Sequence, residues 1–494
     1  MKTKNVIILG AICMTSIMFG LEISSVPVIL PSLEKIMASS FSQIQWIMNA
    51  YTIACTMVLM ATGTLADRFG RKKLYLVSIA LFGLTSLACG LANNVVILIA
   101  ARFVQGLGGG AMLICQIAIL SQQFREGKER AMAFSMWGIV FGAGLGFGPI
   151  IGGTIIAALN WKWVFLVHVP IAAIALLLVS GVKESKDPNA QKLDVAGIIL
   201  LSLTVCGLTF FITQGSGLGF TSAISIGILI MTIACFLLFL RVEKMSTYPM
   251  FDFSVFRINA FSGALLGSIG MNFSFWPFMI YFPIYFQRCL GYDVVTTGLS
   301  LLAYTLPTLI FPPLAERLSL KYRPGIIIPL GMFTIGLGFF LMRLSIGLGQ
   351  AYWLTIFPGA LVAGAGLGLT NTPVTNTTTS SLPESRAGMA SGIDMSARLI
   401  TLAINIALMG FILIEGIYTY LKSIRPDNKN TTLYHLAGQI ASGSISSGQS
   451  FIRQALVQGF GWITLYGAIG VWILAIISFR IFGSKPAPKA APLH

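Results

Sequence analysis

Charge is what this 494-residue sequence has least of. Asp, Glu, Lys and Arg together make up 10% of it, against about 25% in soluble proteins. Only three histidines occur, and there is no HExxH pair, EF-hand loop, CxxC pair or other metal-ligand spacing, so no metal site is expected. A GxxxxGK[ST] phosphate loop and a nucleophile elbow are missing too, which leaves ATP-driven work and hydrolytic catalysis without support. Of the seven cysteines, Cys13, Cys55, Cys89, Cys115, Cys206 and Cys235 fall inside apolar runs and Cys289 does not. They read as buried apolar residues rather than a disulfide framework. Acidic residues are scarce as well, 16 against 32 Lys and Arg, for a net charge of +16. The basic residues form short clusters between apolar runs rather than a stripe on a polar face, so no nucleic-acid partner is expected.

Apolar residues fill the space that charge leaves. Hydrophobic residues make up 56% of the chain, 52 glycines come on top of that, and the mean hydropathy is +0.85. Apolar stretches bounded by charge or turn signals fall at about 6–30, 45–66, 74–92, 97–120, 132–157, 163–182, 194–213 and 222–240. They continue at about 260–286, 296–315, 325–342, 353–379, 387–415 and 459–480. The expectation is an all-α polytopic membrane protein with about fourteen crossings. The run that starts at Val6 continues to Leu30 with no small-residue cleavage site, so it reads as a retained first helix rather than a signal peptide. An even number of crossings puts both ends on one side. About 22 of the basic residues fall on that side and about 8 on the other, so both termini are expected in the cytoplasm. Arg102 and Arg398 are left inside helices.

An internal repeat divides the chain. Leu65-Ala66-Asp67-Arg68 is echoed by Leu314-Ala315-Glu316-Arg317, and Gly106-Leu107-Gly108-Gly109-Gly110 by Gly364-Ala365-Gly366-Leu367-Gly368. Arg130-Ala131-Met132-Ala133 is loosely echoed by Arg386-Ala387-Gly388-Met389. Parallel repeats of this kind build a substrate path at their interface. The expected organisation is a six-helix bundle over 1–190, an inserted helix pair over 191–245, and a second six-helix bundle over 246–494. A polar, Ser/Gly-rich outer loop falls at about 416–458 in this reading.

Six stretches carry a family resemblance. The segment Gly63-Thr64-Leu65-Ala66-Asp67-Arg68-Phe69-Gly70-Arg71-Lys72-Lys73 resembles the loop between the second and third helices of the major facilitator superfamily. Arg102-Phe103-Val104-Gln105-Gly106-Leu107-Gly108 is similar to its fourth-helix motif, and Gly144-Leu145-Gly146-Phe147-Gly148-Pro149-Ile150-Ile151-Gly152-Gly153 to the fifth-helix motif of its antiporters. Leu21-Glu22-Ile23-Ser24, Gln45 to Tyr51 and Trp161 to Leu166 resemble the fourteen-helix drug:proton antiporter branch. The resemblance implies the major facilitator fold, two six-helix bundles plus two extra transmembrane helices, and alternating access with proton exchange. It implies gating by Gly63, Asp67, Arg68, Gly70 and Arg71, with Glu316 and Arg317 in the second half. A gate or seal is implied at Gly144, Gly148, Pro149, Gly152 and Gly153, and a proton-coupling role for Arg102. Glu22 stands where that branch usually has Asp, and Ser25, Pro27 and His168 also depart from its usual residues.

A charge inside an apolar helix is costly and therefore a functional candidate. Glu22 has two turns of apolar residues before it, and a carboxylate held there can exchange protons or attract a cation. Arg102 has Ala360 as its counterpart in the second half, so the fold itself does not require an arginine there; snorkelling to the surface is the alternative. Asp394 and Arg398 form an i,i+4 acid–base pair that reads equally as a structural ion pair or as a proton and substrate site. His168 is a candidate because histidine as a residue type titrates close to physiological pH, although a lone histidine in a helix is more often a core residue. The proton-coupling candidates are Glu22, Arg102, Asp394 and His168. The substrate candidates are Glu22, Gln45, Asn49, Trp137, Phe275, Trp276, Tyr281, Tyr304 and Asp394, where the aromatics line a large cavity or simply face lipid. The expected function is export of an amphipathic, cationic small molecule from the bacterial inner membrane. The proton motive force drives it with no cofactor, by a monomer whose partners are substrate, protons and membrane lipids. A metabolite, siderophore or lysolipid cargo is the alternative, and a non-transporting receptor on the same scaffold is the alternative of another class.

Overall fold

The computed structural model describes residues 3–124, 127–184, 194–246, 253–347, 353–382, 387–424, 430–441 and 450–483. Over these residues the chain is helical, with no strand. The first part contains α1 (Thr3–Ile36), α2 (Phe41–Phe69), α3 (Arg71–Leu91), α4 (Val95–Gln123), α5 (Gly127–Ala158), α6 (Lys162–Leu166) and α7 (His168–Val179). Next come α8 (Val195–Leu218) and α9 (Ala223–Met245). The rest comprises α10 (Asn259–Phe273), α11 (Phe275–Arg288), α12 (Val294–Thr305), α13 (Pro307–Ile310), α14 (Pro312–Tyr322), α15 (Pro324–Gly347), α16 (Trp353–Ser380), α17 (Ala387–Ile424), α18 (Asn430–Ala441) and α19 (Ser450–Phe482).

Helices are what these apolar runs must form, because a helix satisfies every backbone donor without water. Polar side chains set their starts. Ser40 and Gln43 form a capping box on α2, and Asn94, Asp194, Ser222 and Asp293 cap α4, α8, α9 and α12. Eleven spans are long and apolar enough to cross a membrane, among the described residues. The expected span at about 296–315 differs: it is three short helices, broken where Pro307 and Pro312 cannot continue the backbone ladder. The expected end of the span near 415 also moves. Leu413, Ile417 and Leu421, all fully buried, carry the apolar stripe onward to Ile424.

Helices α1 to α7 pack as one unit through α1 on α5, α2 on α4 and α3 on α4 and α7. Helices α10 to α19 form a second unit, with α15 on α16 and α19, and α10 on α19 and α16. The two meet along α5 and α12, α2 and α17, and α1 and α11. Helix α8 lies against both α2 and α17, with α9 beside it.

Helix α5 serves both kinds of contact. A Cβ at Gly144 would come 3.0 Å from the Ile17 carbonyl, and one at Gly152 would come 2.9 Å from Ser25, so this face fits α1 only as glycine. On the other face a Cβ at Gly146 would lie 2.9 Å from Leu309 and one at Gly153 2.7 Å from the Val294 carbonyl. Pro149 presents its carbonyl to Gly298, where a Cβ would be 2.6 Å away. The motif thus packs α5 on its own unit with one stripe and on the other unit with the next.

The largest apolar cluster shared between the units lies toward the face opposite the termini. There Val26, Ile29, Leu33 and Ile44 join Phe278, Ile280, Ile284 and Leu413 in one cluster. Toward the terminus-bearing face the core divides. One cluster comes from α1 to α7 and the end of that unit, with only Met395 and Leu399 added from the second unit. Another gathers Val255, Phe261, Leu265, Ala390 and Ile393. The far face is therefore the sealed one.

The close α1–α5 approach makes a direct prediction. Gly152→Val forces a side chain into the Ser25 backbone and lowers the stability of the purified protein by about 1–3 kcal/mol, read as a drop in melting temperature. Gly227→Ala, where nothing lies within 4 Å, leaves the melting temperature unchanged or raised.

Candidate functional site

Glu22 sits midway along α1 and is fully buried. Arg102, about two turns into α4 and also fully buried, pairs with Glu22 Oε1 through Nη1. His168, the first residue of α7, brings Nε2 to 3.0 Å from Glu22 Oε2. One carboxylate is thus held between two basic groups from two other helices.

The arginine is anchored independently of Glu22. Its Nε donates to the Ile47 carbonyl at 3.2 Å and its Nη1 to Gln105 Oε1 at 2.7 Å. Gln105 is fixed in turn, donating through Nε2 to Ser86 Oγ at 2.9 Å and accepting from Cys89 Sγ at 3.5 Å. The Tyr51 ring covers the guanidinium, with Cζ 4.2 Å from the ring centre. A desolvated cation over an aromatic face gains about 2 kcal/mol, so Arg102 has a resting place whether or not Glu22 is ionised. The edge of Phe82 meets the His168 ring at 5.6 Å. Gly106 and Gly110 allow this approach of α4 to α2, since a Cβ at Gly110 would lie 2.9 Å from the Cys55 carbonyl.

Asp394 belongs elsewhere. It accepts from Ser268 of α10, and its Oδ2 is 3.1 Å from Arg398 Nη2. Arg398 also donates to Asn371 Oδ1 at 2.7 Å and to Thr375 Oγ1 at 3.0 Å on α16. This network lies wholly within the second unit, so the structure groups Glu22, Arg102 and His168 and separates Asp394 from them.

The substrate candidates divide likewise. Gln45 crosses between units, donating to Tyr281 Oη and to the Ile406 carbonyl, both at 3.0 Å. Phe275 stacks on Tyr304 at 3.9 Å, Tyr304 Oη donates to the Phe275 carbonyl at 2.7 Å, and Trp276 sets its edge against Phe275. Gln45, Phe275, Tyr281 and Tyr304 are packed in the seal rather than around an open cavity. Asn49 is buried with neither amide atom partnered among the described residues. Trp137 is half-buried on the terminus-bearing side of α5 and begins a row of rings. It stacks on Phe141 at 5.8 Å, Phe141 on Phe19 at 6.2 Å, and Phe19 meets Tyr51 at 6.3 Å. That row ends at Arg102.

In the loop between α2 and α3, Gly70 holds φ +115°, a conformation that a side chain strains. The backbone amides of Lys72 and Lys73 donate to the two Glu184 oxygens at 3.0 Å each, so a carboxylate from beyond α7 caps α3. Arg71 starts α3 and Arg317 is exposed on α14. The surroundings of Gly63 and the side chains of Asp67, Arg68 and Glu316 lie outside the described residues.

A family model of the Major Facilitator Superfamily matches residues 12–406. The chain belongs to the Major Facilitator Superfamily. This member is 31% identical over 397 residues to the multidrug resistance protein Stp of Mycobacterium tuberculosis, covering 80% of this chain and 73% of that one. It is also 31% identical over 411 residues to the quinolone resistance protein NorB of Staphylococcus aureus, covering 82% and 88%. Solved structures share the fold at low identity. A D-xylose–proton symporter aligns with a TM-score of 0.61 at 15% identity, over 88% of this chain and 96% of that one. A mutant peptide transporter, POT, aligns at 0.63 and 15%, over 96% and 95%. The superfamily member described here is a multi-pass membrane transporter rather than an enzyme.

Several residues of the site were not singled out from sequence. Tyr51 and Gln105 both stand inside the stretches that carry the family resemblance, and the i,i+3 spacing of Gln105 from Arg102 was the available signal. Glu184 and the partners of Arg398 depend on contacts far apart in the chain, for which the sequence holds no local sign.

The pairing of Glu22 with Arg102 is testable without a substrate. Arg102→Met leaves a buried carboxylate without its arginine and destabilises the protein by about 3–5 kcal/mol. The double variant Glu22→Gln/Arg102→Met recovers most of that loss, so melting temperatures of the two single variants and the double variant are strongly non-additive.

Proposed function

We propose that this transporter is a proton-coupled exporter of amphipathic, cationic small molecules, working by alternating access across the bacterial inner membrane. In this reading it has fourteen crossings, two six-helix bundles with α8 and α9 inserted between them, and both termini in the cytoplasm. It acts as a monomer within membrane lipid, and the proton motive force supplies its energy.

The observation that carries the reading is the buried carboxylate of Glu22 held between Arg102 and His168. A group so placed changes its charge state with its surroundings. Ionised, Glu22 offers a negative charge that a cationic substrate can share with Arg102. Protonated, it releases both, and Arg102 stays on the Tyr51 face and the Ile47 carbonyl. Proton and substrate then oppose each other through one carboxylate, which linkage requires of an antiporter. The ring row from Trp137 through Phe141 and Phe19 to Tyr51 supports a flat or cationic cargo, because such faces attract cations in a dry site. The relatives' names, multidrug and quinolone resistance proteins, agree with export of foreign compounds. Asp394 serves in this reading as the second unit's carboxylate, coupled to the substrate across the space between units.

Reconstituted vesicles with an imposed pH gradient test the proposal. The wild-type protein moves a cationic dye against its gradient, and Glu22→Gln reduces pH-driven movement to the level of protein-free vesicles. Full pH-driven transport by Glu22→Gln contradicts the assignment.

A further inference from the structure

The sealed far face contains a second buried ion pair that the carboxylate exchange at Glu22 does not use. Glu34, in the last turns of α1, and Arg288, the last residue of α11, pair across the two units. Their side chains are 4% and 8% exposed, so neither charge is solvated while the face is closed. Arg288 also holds a second partner: its Nη1 donates to the carbonyl of Ala441, the final residue of α18.

Helix α18 reads as a lid. Leu433, Ala437, Ile440 and Ala441 recur at helical spacing and are fully buried in the core shared by both units. Its opposite side, with Asn430, Thr431, Thr432 and His435, is exposed. A cation at its last carbonyl complements the negative end of the helix. One guanidinium therefore ties together α1 of the first unit, α11 of the second and α18, which packs on α17 and α19. Gln287 adds a neighbouring tie, donating to the Val28 carbonyl at 3.0 Å.

We propose that Glu34 and Arg288 are the latch of the far gate: gate-positioning residues that hold α18 down while the far face is closed and part when it opens. The energetics favour a latch over a permanent staple. In the closed state, removing either partner strands a buried charge. In the open state water reaches both groups and their pairing is worth little. Neutralising one partner therefore raises the energy of the closed state selectively and shifts the population toward the open one. The inference rests on the transport reading only through alternating access, and it does not depend on protons or on the cargo.

The native thiol of Cys289 reports the outcome, because it is 3% exposed inside the seal, next to Arg288. The purified full chain in lipid nanodiscs, without substrate or pH gradient, is treated with a hydrophilic maleimide, and labelling of each cysteine is followed by peptide mass mapping. Glu34→Gln and Arg288→Gln each raise the Cys289 labelling rate by about tenfold or more, the factor produced by a shift of about 1.4 kcal/mol. Arg288→Lys, which keeps the charge, stays much closer to wild type. The two neutral variants control for each other: Arg288→Gln removes the cation that favours a thiolate, whereas Glu34→Gln keeps it. Faster labelling in both therefore reports exposure. Labelling within twofold of wild type in both, with buried Cys55 and Cys115 still unreactive, overturns the proposal. Should the neutral variants unfold and label Cys55 and Cys115 too, Glu34→Asp decides. Its carboxylate is drawn back by one methylene, and it must raise Cys289 labelling several-fold; a wild-type rate overturns the latch. Loss of dye transport in Glu22→Gln vesicles is a separate readout, so either claim can fail alone.

Discussion

A guanidinium with no exposure to water needs compensation from every side, and the first unit is arranged around supplying it to Arg102. Glu22 from α1 balances the charge, the Ile47 carbonyl and Gln105 accept its hydrogen bonds, and Tyr51 covers its face. Each partner comes from a position that only close helix packing can deliver. Glycines on α4 admit α2, and Ser86 with Cys89 on α3 fixes the orientation of Gln105. A buried ion pair adds little to net stability compared with an apolar pair of the same volume. Its retention at this depth is better accounted for by what the pair can do when its charge changes.

Charge change is useful only if the surroundings can move as units. Helix α5 gives the means, presenting one glycine stripe to α1 and the next to α12. Smooth, small-residue surfaces let helices slide or rock without unlocking large side chains. The two units share their core at the far face and separate toward the terminus-bearing face. Gln45, Tyr281 and the latch of Glu34 with Arg288 sit on the closed side. Glu22 lies between this seal and the ring row that begins at Trp137. A charge change there is therefore positioned to bias which face opens.

Much of this was legible in the sequence because the bilayer imposes simple rules. Long uncharged runs must be helices, and Glu22, Arg102 and His168 stood out as polar groups in apolar surroundings. The same reasoning grouped Asp394 with them, and the structure separates it, since a residue's depth along a helix says nothing about which bundle it faces. Phe275, Tyr281 and Tyr304 were read as lining a cavity or facing lipid, and all three lie buried in the seal, because aromatic side chains suit a dry core as well as a binding surface. Glu34 and Arg288 were the least visible. Each stands at a helix end where a solvated charge is ordinary, and only the meeting of α1, α11 and α18 buries them.

The most direct measurement of the central claim is proton release on substrate binding, recorded by a pH dye with purified protein in a weakly buffered solution. If one carboxylate serves proton and substrate alternately, adding a cationic substrate near the pH where the Glu22 site is half protonated releases protons, and Glu22→Gln releases none. Substrate binding to the wild-type protein with no proton release, or an undiminished release from Glu22→Gln, would contradict the account.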